Sequence, residues 1–293
     1  MYDRILFPTA GSEASEVVLD HVLDLADAFE STVHVLNVAD TTRDSVLTIQ
    51  DEVVDVLEQE GERIVQQAAS RATERRVEAV TEVRQGEPYS TIIDYATSRG
   101  MDLIVMPTKG RRGLERFLLG STTERVVRRS DVPVLTIRPT DGDRIRYPYG
   151  NVLVPTDGSS CASEALAAGV DLTVSEGATL HLLSAITLTS LGVDVRTDIH
   201  QAELEASAET ILAEATEVAE DAGVDAVSTA IEYAPSIHQA ILAYIDEHDI
   251  GLVAVGTHGR TGFNRYVLGS VTEYLIRTSP IPVLSVRPRE ATT

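Results

Sequence analysis

Lysine, cysteine and tryptophan are nearly missing from this chain of 293 residues. Lys109 is the one lysine, so 23 of the 24 basic residues are arginines, and tryptophan does not occur. A single cysteine, Cys161, excludes a disulfide bond within the chain. The seven histidines are scattered without the spacing of metal ligands, so the sequence predicts no metal site.

Long apolar segments are missing as well. No run approaches the roughly 18 apolar residues that a membrane-spanning helix needs. The first residues, "MYDRILFPTA", include an acid and a base where a signal peptide has a long apolar core. We therefore expect a soluble, cytoplasmic protein with no membrane partner.

Positive charge is scarce relative to negative charge. The chain has 46 acidic and 24 basic residues and a net charge of −22, while 43% of its residues are hydrophobic. The hydrophobic content argues against disorder, and the acidic surplus is typical of a halophilic protein kept soluble in concentrated salt. The alternative is an ordinary acidic protein. In either case the charge disfavours nucleic acid as a partner, because the phosphate backbone repels it.

The sequence repeats itself once. "RILFPTAGSEAS" (residues 4–15) matches "NVLVPTDGSSCAS" (residues 151–163), with Pro8 and Pro155 lying 147 positions apart. The spacing becomes 149 from Pro107/Gly256 onward, so the second copy has two extra residues around its third helix. A single long period indicates a duplicated domain. We predict an N-terminal domain over residues 1–140, a polar linker over 141–150 and a C-terminal domain over 151–293.

Each copy alternates short apolar runs with longer amphipathic patterns. Val18, Val22, Leu25 and Phe29 form a helical stripe after the first strand of the first copy. The element order is βαβαβαβαβ, which predicts an α/β fold with a mostly parallel, doubly wound sheet in each copy. The last strands, "PVLTIRP" and "PVLSVRP", are apolar and would be aggregation-prone as free edges. We expect them to pair about a pseudo-two-fold axis within the chain, and leave open whether chains dimerise further.

Two segments of the second copy follow strands whose ends meet at one edge of such a sheet. One is "PTDGS" and the other is "GTHGRTGFNRYVLGSVTE". Gly256 and Gly259 leave the backbone bare, which would allow a ligand to approach closely. A helix then opens at Gly269 and Ser270, and its free N–H groups favour an anion. Asp157 would be repelled by phosphate, so it fits the sugar or base end of a nucleotide lying across the sheet.

The spacing G-x2-G-x9-G-[S/T], together with "PTD" after the first strand and "PVL" in the last, resembles the universal stress protein family. The resemblance covers both copies. It implies five-stranded parallel sheets of order 3-2-1-4-5, paired through their last strands, and an ATP site with or without Mg²⁺. It implies that Asp157 meets the adenine–ribose side, that the Ala185 backbone meets adenine, and that the start of the last helix holds the terminal phosphates. The residues carried over are Pro155, Thr156, Asp157, Ala185, Val255, Gly256, His258, Gly259, Gly269, Ser270, Val271 and Thr272.

The first copy departs from this pattern at two places. Pro107 replaces the first glycine and removes an N–H, and Ala10 replaces the aspartate. Its remaining signature residues are Gly110, Gly120 and Ser121. We predict that the first copy binds ATP weakly or not at all. The alternative is that its basic cluster of Lys109, Arg111 and Arg112 still attracts an anion.

Several simpler interpretations stay open at this stage. Ser270 would serve merely as a helix N-cap, Asp157 would bond only within its own turn, and His258 would be a solvated loop residue. Cys161, at a helix start, would either have a lowered thiol pKa or simply pack as a small residue.

Three classes of function fit the sequence. The leading hypothesis is a nucleotide-binding regulator or sensor of the stress response. The second is an enzyme, either a slow ATPase or an adenylyl- or phosphoryl-transferring protein that uses the same site. The third is a module for another ligand or a protein partner, in which the glycine loop is vestigial.

Overall fold

The computed structural model describes residues 2–41, 52–108, 119–139, 145–187, 197–258 and 268–288, with the backbone alone for 52–55 and 197–200. The chain divides into two compact units, residues 1–147 and 148–293. Tyr147 packs edge-on against His21 and Phe29 of the first unit, while Tyr149 is buried in the second beside Gly251.

The first unit alternates strands and helices from its start. Its elements are β1 (Arg4–Pro8), α1 (Glu13–Phe29), β2 (Thr32–Asp40), α2 (Glu52–Glu74), β3 (Ala79–Gly86), α3 (Pro88–Ser98), β4 (Leu103–Pro107), α4 (Ser121–Arg129) and β5 (Val134–Ile137).

The second unit repeats this series in the same order. Its elements are β6 (Asn151–Pro155), α5 (Ser160–Glu176), β7 (Thr179–Thr187), α6 (Thr197–Asp221), β8 (Val227–Ala234), α7 (Ile237–Glu247), β9 (Leu252–Gly256), α8 (Ser270–Thr278) and β10 (Val283–Val286).

Both units have a five-stranded parallel sheet. The strand order is β3-β2-β1-β4-β5 in the first unit and β10-β9-β6-β7-β8 in the second. Every pairing within a unit is parallel, as between β6 and both β7 and β9. These orders confirm the predicted doubly wound α/β fold and the 3-2-1-4-5 arrangement. Pairing of the two units through their last strands stays a prediction.

The central strands are apolar on both faces because helices cover both. Ile5, Leu6 and Phe7 of β1 are at most 1% exposed, and residues 152–154 of β6 are fully buried. Strands of this kind read as continuous hydrophobic runs rather than alternating ones. In the second unit α5 and α6 pack on one face of the sheet, and α7 and α8 on the other.

The two extra residues of the second copy enter before its third helix. Tyr95 of α3 bonds to His34, and Tyr244 of α7 bonds to His181, with ring nitrogen to hydroxyl distances of 2.9 and 3.0 Å. These tyrosines are therefore equivalent, at a spacing of 149. Ala79 of β3 pairs with Val33, and Val227 of β8 pairs with Leu180, so the spacing is already 148 at these strands. One extra residue therefore precedes β8, and the other lies between β8 and α7.

Candidate functional site

The two segments that the sequence analysis paired follow adjacent strands, β6 and β9. The chain leaves β6 toward β7 on one side, and β9 lies on the other, so the strand order reverses here. In open α/β sheets the crevice at such a reversal, outside the carboxyl ends of the strands, is where ligands bind.

The turn after β6 is held by its own side chains. Thr156 N–H donates to Leu183 O at 2.9 Å, and the buried Thr156 hydroxyl accepts from Gly158 N–H at 3.3 Å. Asp157 Oδ1 accepts from Ser159 N–H at 3.0 Å, and the Ser159 hydroxyl caps α5. The bond within its own turn considered for Asp157 is therefore present. The side chain is still half-exposed, and its contact with a ligand stays a prediction.

Gly256, at the end of β9, is a glycine for a reason that the sequence did not reveal. A Cβ built there would lie 2.7 Å from both the Cβ and the carbonyl oxygen of Cys161, in the first turn of α5. No real Cβ tolerates such a contact with backbone, so the glycine is required for α5 to pack on β9. Close approach of a ligand is not needed to explain it. The preceding Val255 is a buried strand residue paired with Ser285 of β10.

Helix α8 starts with an open first turn. Gly269 occupies the N-cap position, and among the described residues no side-chain cap bond is made there. The N-cap alternative for Ser270 is therefore wrong, because Ser270 is the first helical residue and is exposed. The N–H groups of the first turn, at Ser270, Val271 and Thr272, have no acceptor inside the helix and lie at the positive end of its dipole.

The beginning of α8 is fastened to the end of β9. Gly269 N–H donates to Thr257 O at 2.8 Å, and the Thr272 hydroxyl donates to Gly256 O at 2.7 Å. Thr257 N–H in turn donates to the carbonyl oxygen of Val286, the last residue of β10. Thr272 is only 4% exposed, and its hydroxyl proton is used in the bond to Gly256 O.

The sequence places Ala185 at the end of the second strand of its unit. The structure differs, because β7 continues two residues further, to Thr187. Pro155, the last residue of β6, pairs with Leu183. The Leu183 carbonyl points toward β6, and alternation along the strand places the main-chain groups of Ala185 on the same edge, past the end of β6. This position suits a backbone contact with a planar base.

Two residues of the site were missed by sequence reasoning. Thr257 is buried, and its hydroxyl lies 2.9 Å from His258 Nδ1. Arg287, directly after β10, is a buried cation, and its charge acts on the Cys161 thiol. Only the duplication marked Thr257, whose counterpart in the first copy is also a threonine, Thr108.

Cys161 behaves as a packed residue. Burial raises the pKa of its thiol, and the Asp157 carboxylate acts in the same direction, against hydrogen bonds to His258 and Thr257. The alternative of a lowered thiol pKa is therefore wrong.

Some of the predicted residues cannot be placed. Gly259 lies outside the described residues, as do Gly110 and the basic cluster of Lys109, Arg111 and Arg112. Within the described part of the chain, no group of three histidine, cysteine or acidic side chains is placed to hold a metal ion.

In the first unit, side chains of β2 and α2 contact the turn that follows the first strand. Asn37 Nδ2 donates to Thr9 O at 2.8 Å, and a Cβ on Gly61 of α2 would lie 2.7 Å from Asn37 Oδ1. Ile64 of α2 covers Gly11, where an added Cβ would lie 2.7 Å from the isoleucine. In the second unit the residue aligned with Ile64 is Ile211, which is half-exposed, and the residue aligned with Asn37 is Ser184.

The family model described as "Universal stress protein family" matches residues 1–138 and 148–287. The chain belongs to the universal stress protein family. The two matches confirm that it is a tandem of two universal stress protein domains.

Individual universal stress proteins agree with this assignment. One from Methanocaldococcus jannaschii is 33% identical over 141 residues, which are 47% of this chain and 83% of that protein. One from Mycobacterium tuberculosis is 30% identical over 239 residues, 78% of each chain. The crystal structure of a universal stress protein from Archaeoglobus fulgidus is similar over 99% of this chain and 100% of that chain, with a TM-score of 0.74 and 26% identity.

Among the described residues of this universal stress protein, no helix is both long enough and apolar enough to cross a membrane.

Proposed function

We propose that the C-terminal unit of this universal stress protein binds ATP, and that binding serves a regulatory or sensory role. The observation that carries the proposal is the uncapped first turn of α8, fastened beside the end of β9 where the strand order of the sheet reverses. Bare amides at a helix N-terminus are suited to phosphate.

The nucleotide would lie across the carboxyl ends of β7, β6 and β9. The N–H groups of Ser270 and Val271 and the exposed Ser270 hydroxyl would hold the terminal phosphates. Asp157 would accept hydrogen bonds from the ribose, and the Ala185 backbone would contact adenine. When Mg²⁺ accompanies ATP, it neutralises charge on the phosphate oxygens.

The first unit would not provide an equivalent site. The Asn37 amide already occupies the Thr9 carbonyl, and Ile64 of α2 covers the turn at Gly11. Pro107 lacks the backbone N–H that Gly256 has in the second unit, and Ala10 lacks the carboxylate of Asp157. These differences support one strong ATP site per chain.

Calorimetric titration of the full chain with ATP tests this proposal. We expect one site per chain, and loss of binding in Gly259→Val, since a branched side chain would fill the space needed by a phosphate. The matched variant Gly110→Val changes the same signature position of the first copy and should leave the titration unchanged. Two equal sites, or equal losses in both variants, would contradict the asymmetry, and no binding by the wild type would reject the function.

The rate of ATP turnover distinguishes the enzyme alternative from the proposed regulatory function. Steady-state ATP hydrolysis, with and without Mg²⁺, should stay well below about 1 s⁻¹, the low end of ordinary enzymes. Faster turnover would favour a transferase or hydrolase. Mass spectrometry of nucleotide co-purifying with the protein addresses the third alternative, because a module for another ligand would carry no adenine nucleotide.

A further inference from the structure

The same side-chain bond occurs at the start of the last helix in both units. Thr272 Oγ1 donates to Gly256 O at 2.7 Å, and its counterpart Thr123 Oγ1 donates to Pro107 O at 2.9 Å. Each threonine is the third residue of its helix, and each carbonyl belongs to the last residue of the preceding strand. The bond therefore joins the first turn of a helix to a strand end across a long loop.

We propose that Thr272 is a positioning residue, whose hydroxyl sets the direction in which the first-turn amides of α8 face the phosphates. This inference rests on the proposed ATP site and goes beyond it, because the family resemblance implied that Thr272 itself holds phosphate.

The direction of the hydroxyl carries the argument. A threonine hydroxyl has one proton to donate, and that of Thr272 is given to the strand end. The side chain is 4% exposed, whereas the neighbouring Ser270 is exposed and at the open end of the turn. Phosphate oxygens only accept hydrogen bonds, so they gain nothing from a hydroxyl whose proton is already engaged.

The first unit shows that the bond does not depend on a nucleotide. There the strand ends in Pro107, Asn37 bonds to Thr9 O and Ile64 packs on Gly11, yet Thr123 makes the same contact. The bond is thus part of how each unit joins its fourth strand to its fourth helix. In the second unit the helix fastened in this way begins beside the end of β9, at the point where the strand order reverses.

A second bond works with the first. Gly269 N–H donates to Thr257 O at 2.8 Å, so the N-cap and the third residue of α8 are both tied to the segment that leaves β9. With two attachments the first turn has a fixed tilt relative to the sheet. Without the threonine bond, only the attachment at Gly269 would remain.

The experiment compares Thr272→Val, which removes the hydroxyl but keeps the shape, with Thr272→Ser, which keeps the hydroxyl. We expect Thr272→Val to raise the Kd for ATP roughly tenfold, the scale of one hydrogen bond to a charged group, while Thr272→Ser stays near the wild type. The Kd for adenosine should change little in either variant, because adenosine has no phosphate. Thr123→Val serves as the matched control and should leave both affinities unchanged.

The outcomes separate this inference from the proposed function. Equal loss of ATP and adenosine affinity in Thr272→Val would show a general disturbance of the unit, and an unchanged ATP affinity would show that the bond does not orient the amides. Either result overturns the inference, whereas a wild-type chain that binds no ATP rejects the proposed function first.

Hydrogen exchange provides a readout that needs no nucleotide. The Gly269 and Glu273 amides are bonded at the start of α8, to Thr257 O and Gly269 O. In Thr272→Val both should exchange several-fold faster, with recovery in Thr272→Ser. Unchanged exchange would overturn the positioning role even if ATP binding were absent.

Discussion

His21 is a titratable side chain buried in the core of the first unit. It lies on α1 with 3% exposure, and burial lowers its pKa to about 4, with Asp24 acting weakly in the opposite direction. Its ring packs edge-on against Tyr147. Folding therefore holds this histidine neutral at a pH where an unfolded chain would protonate it.

The sign of the pH effect follows from this lowered pKa. Between about pH 6.5 and about pH 4 the unfolded chain binds the proton and the folded chain does not, so stability falls as the pH falls. The slope is about 1.4 kcal/mol per pH unit within that window. We expect His21→Phe, which cannot titrate, to remove this part of the acid sensitivity.

Urea unfolding of the wild type and of His21→Phe at a series of pH values checks the prediction. The difference in unfolding free energy should be constant above about pH 7.5 and should shift in favour of the variant by about 3 kcal/mol toward pH 4. A difference independent of pH would show that folding does not lower the pKa of His21.

At the scale of elements, the packing of α5 distinguishes the second unit from the first. Buried Val18 and Val22 of α1 correspond to the smaller Ala165 and Gly169 of α5. A Cβ on Gly169 would lie 2.4 Å from Val154 Cγ2 of β6, and one on Gly256 would meet the Cys161 backbone. Glycines thus let α5 pack closely on β6 and β9.

Gly256→Ala should destabilise the ligand-free protein by about 1 to 3 kcal/mol, because the added methyl group overpacks against backbone that cannot rotate away. Gly251→Ala is the matched control, since its Cβ would find only ordinary contacts of 3.5 Å or more, and it should change stability by less than about 1 kcal/mol. The midpoint of urea unfolding without nucleotide measures both. If the two alanine variants were equally stable, the packing explanation of Gly256 would be incorrect.

At the scale of the whole molecule, arginines neutralise negative charge on the second helix less in the second unit than in the first. Helix α6 has eight acidic and no lysine or arginine residues in Thr197–Asp221. In the first unit, Arg71 of α2 bonds to Asp20 of α1, and Arg75, directly after α2, bonds to Asp24 of α1. The positions aligned with these arginines in the second unit are Val218 and Ala222. The repulsion expected from the net charge of −22 should therefore be strongest around α6.

The thermal midpoint should consequently rise as KCl increases from about 0.1 M to about 2 M, because salt screens this repulsion. Replacing the exposed Glu209, Glu214 and Glu217 with glutamine should raise the midpoint at low salt and flatten its rise. Asp20→Asn is the control, because it removes a carboxylate paired with Arg71 and should lower the midpoint at low salt. A midpoint that does not change with salt would contradict the halophilic interpretation.

The sequence was sufficient to predict the elements and their order. Apolar runs such as residues 152–154 and the stripe of Val18, Val22 and Leu25 give strands and helices directly, since their periodicity reflects local geometry. The duplication made each unit a check on the other. Helix α8 was placed correctly from Ser270 because a glycine before an amphipathic run is a local signal.

Contacts between distant segments were not predictable in this way. The need for a glycine at position 256 depends on Cys161, which lies 95 positions earlier. The hydrogen bond of Thr272 depends on Gly256, which lies 16 positions earlier. The contacts of Asn37 and Ile64 with the turn of the first unit likewise depend on how α2 packs on β2 and β3. No local pattern encodes these distances.

By itself, the sequence determined that this protein is a duplicated α/β chain with an acidic surface and a glycine-marked helix start in its second half, because periodicity, charge and repetition are properties of neighbouring residues. Only the tertiary structure decided which side chains contact the turn after the first strand of each unit, why Gly256 has no side chain and where the Thr272 proton goes. Those outcomes depend on van der Waals contacts and hydrogen bonds between segments that meet only when the sheet and its helices have packed.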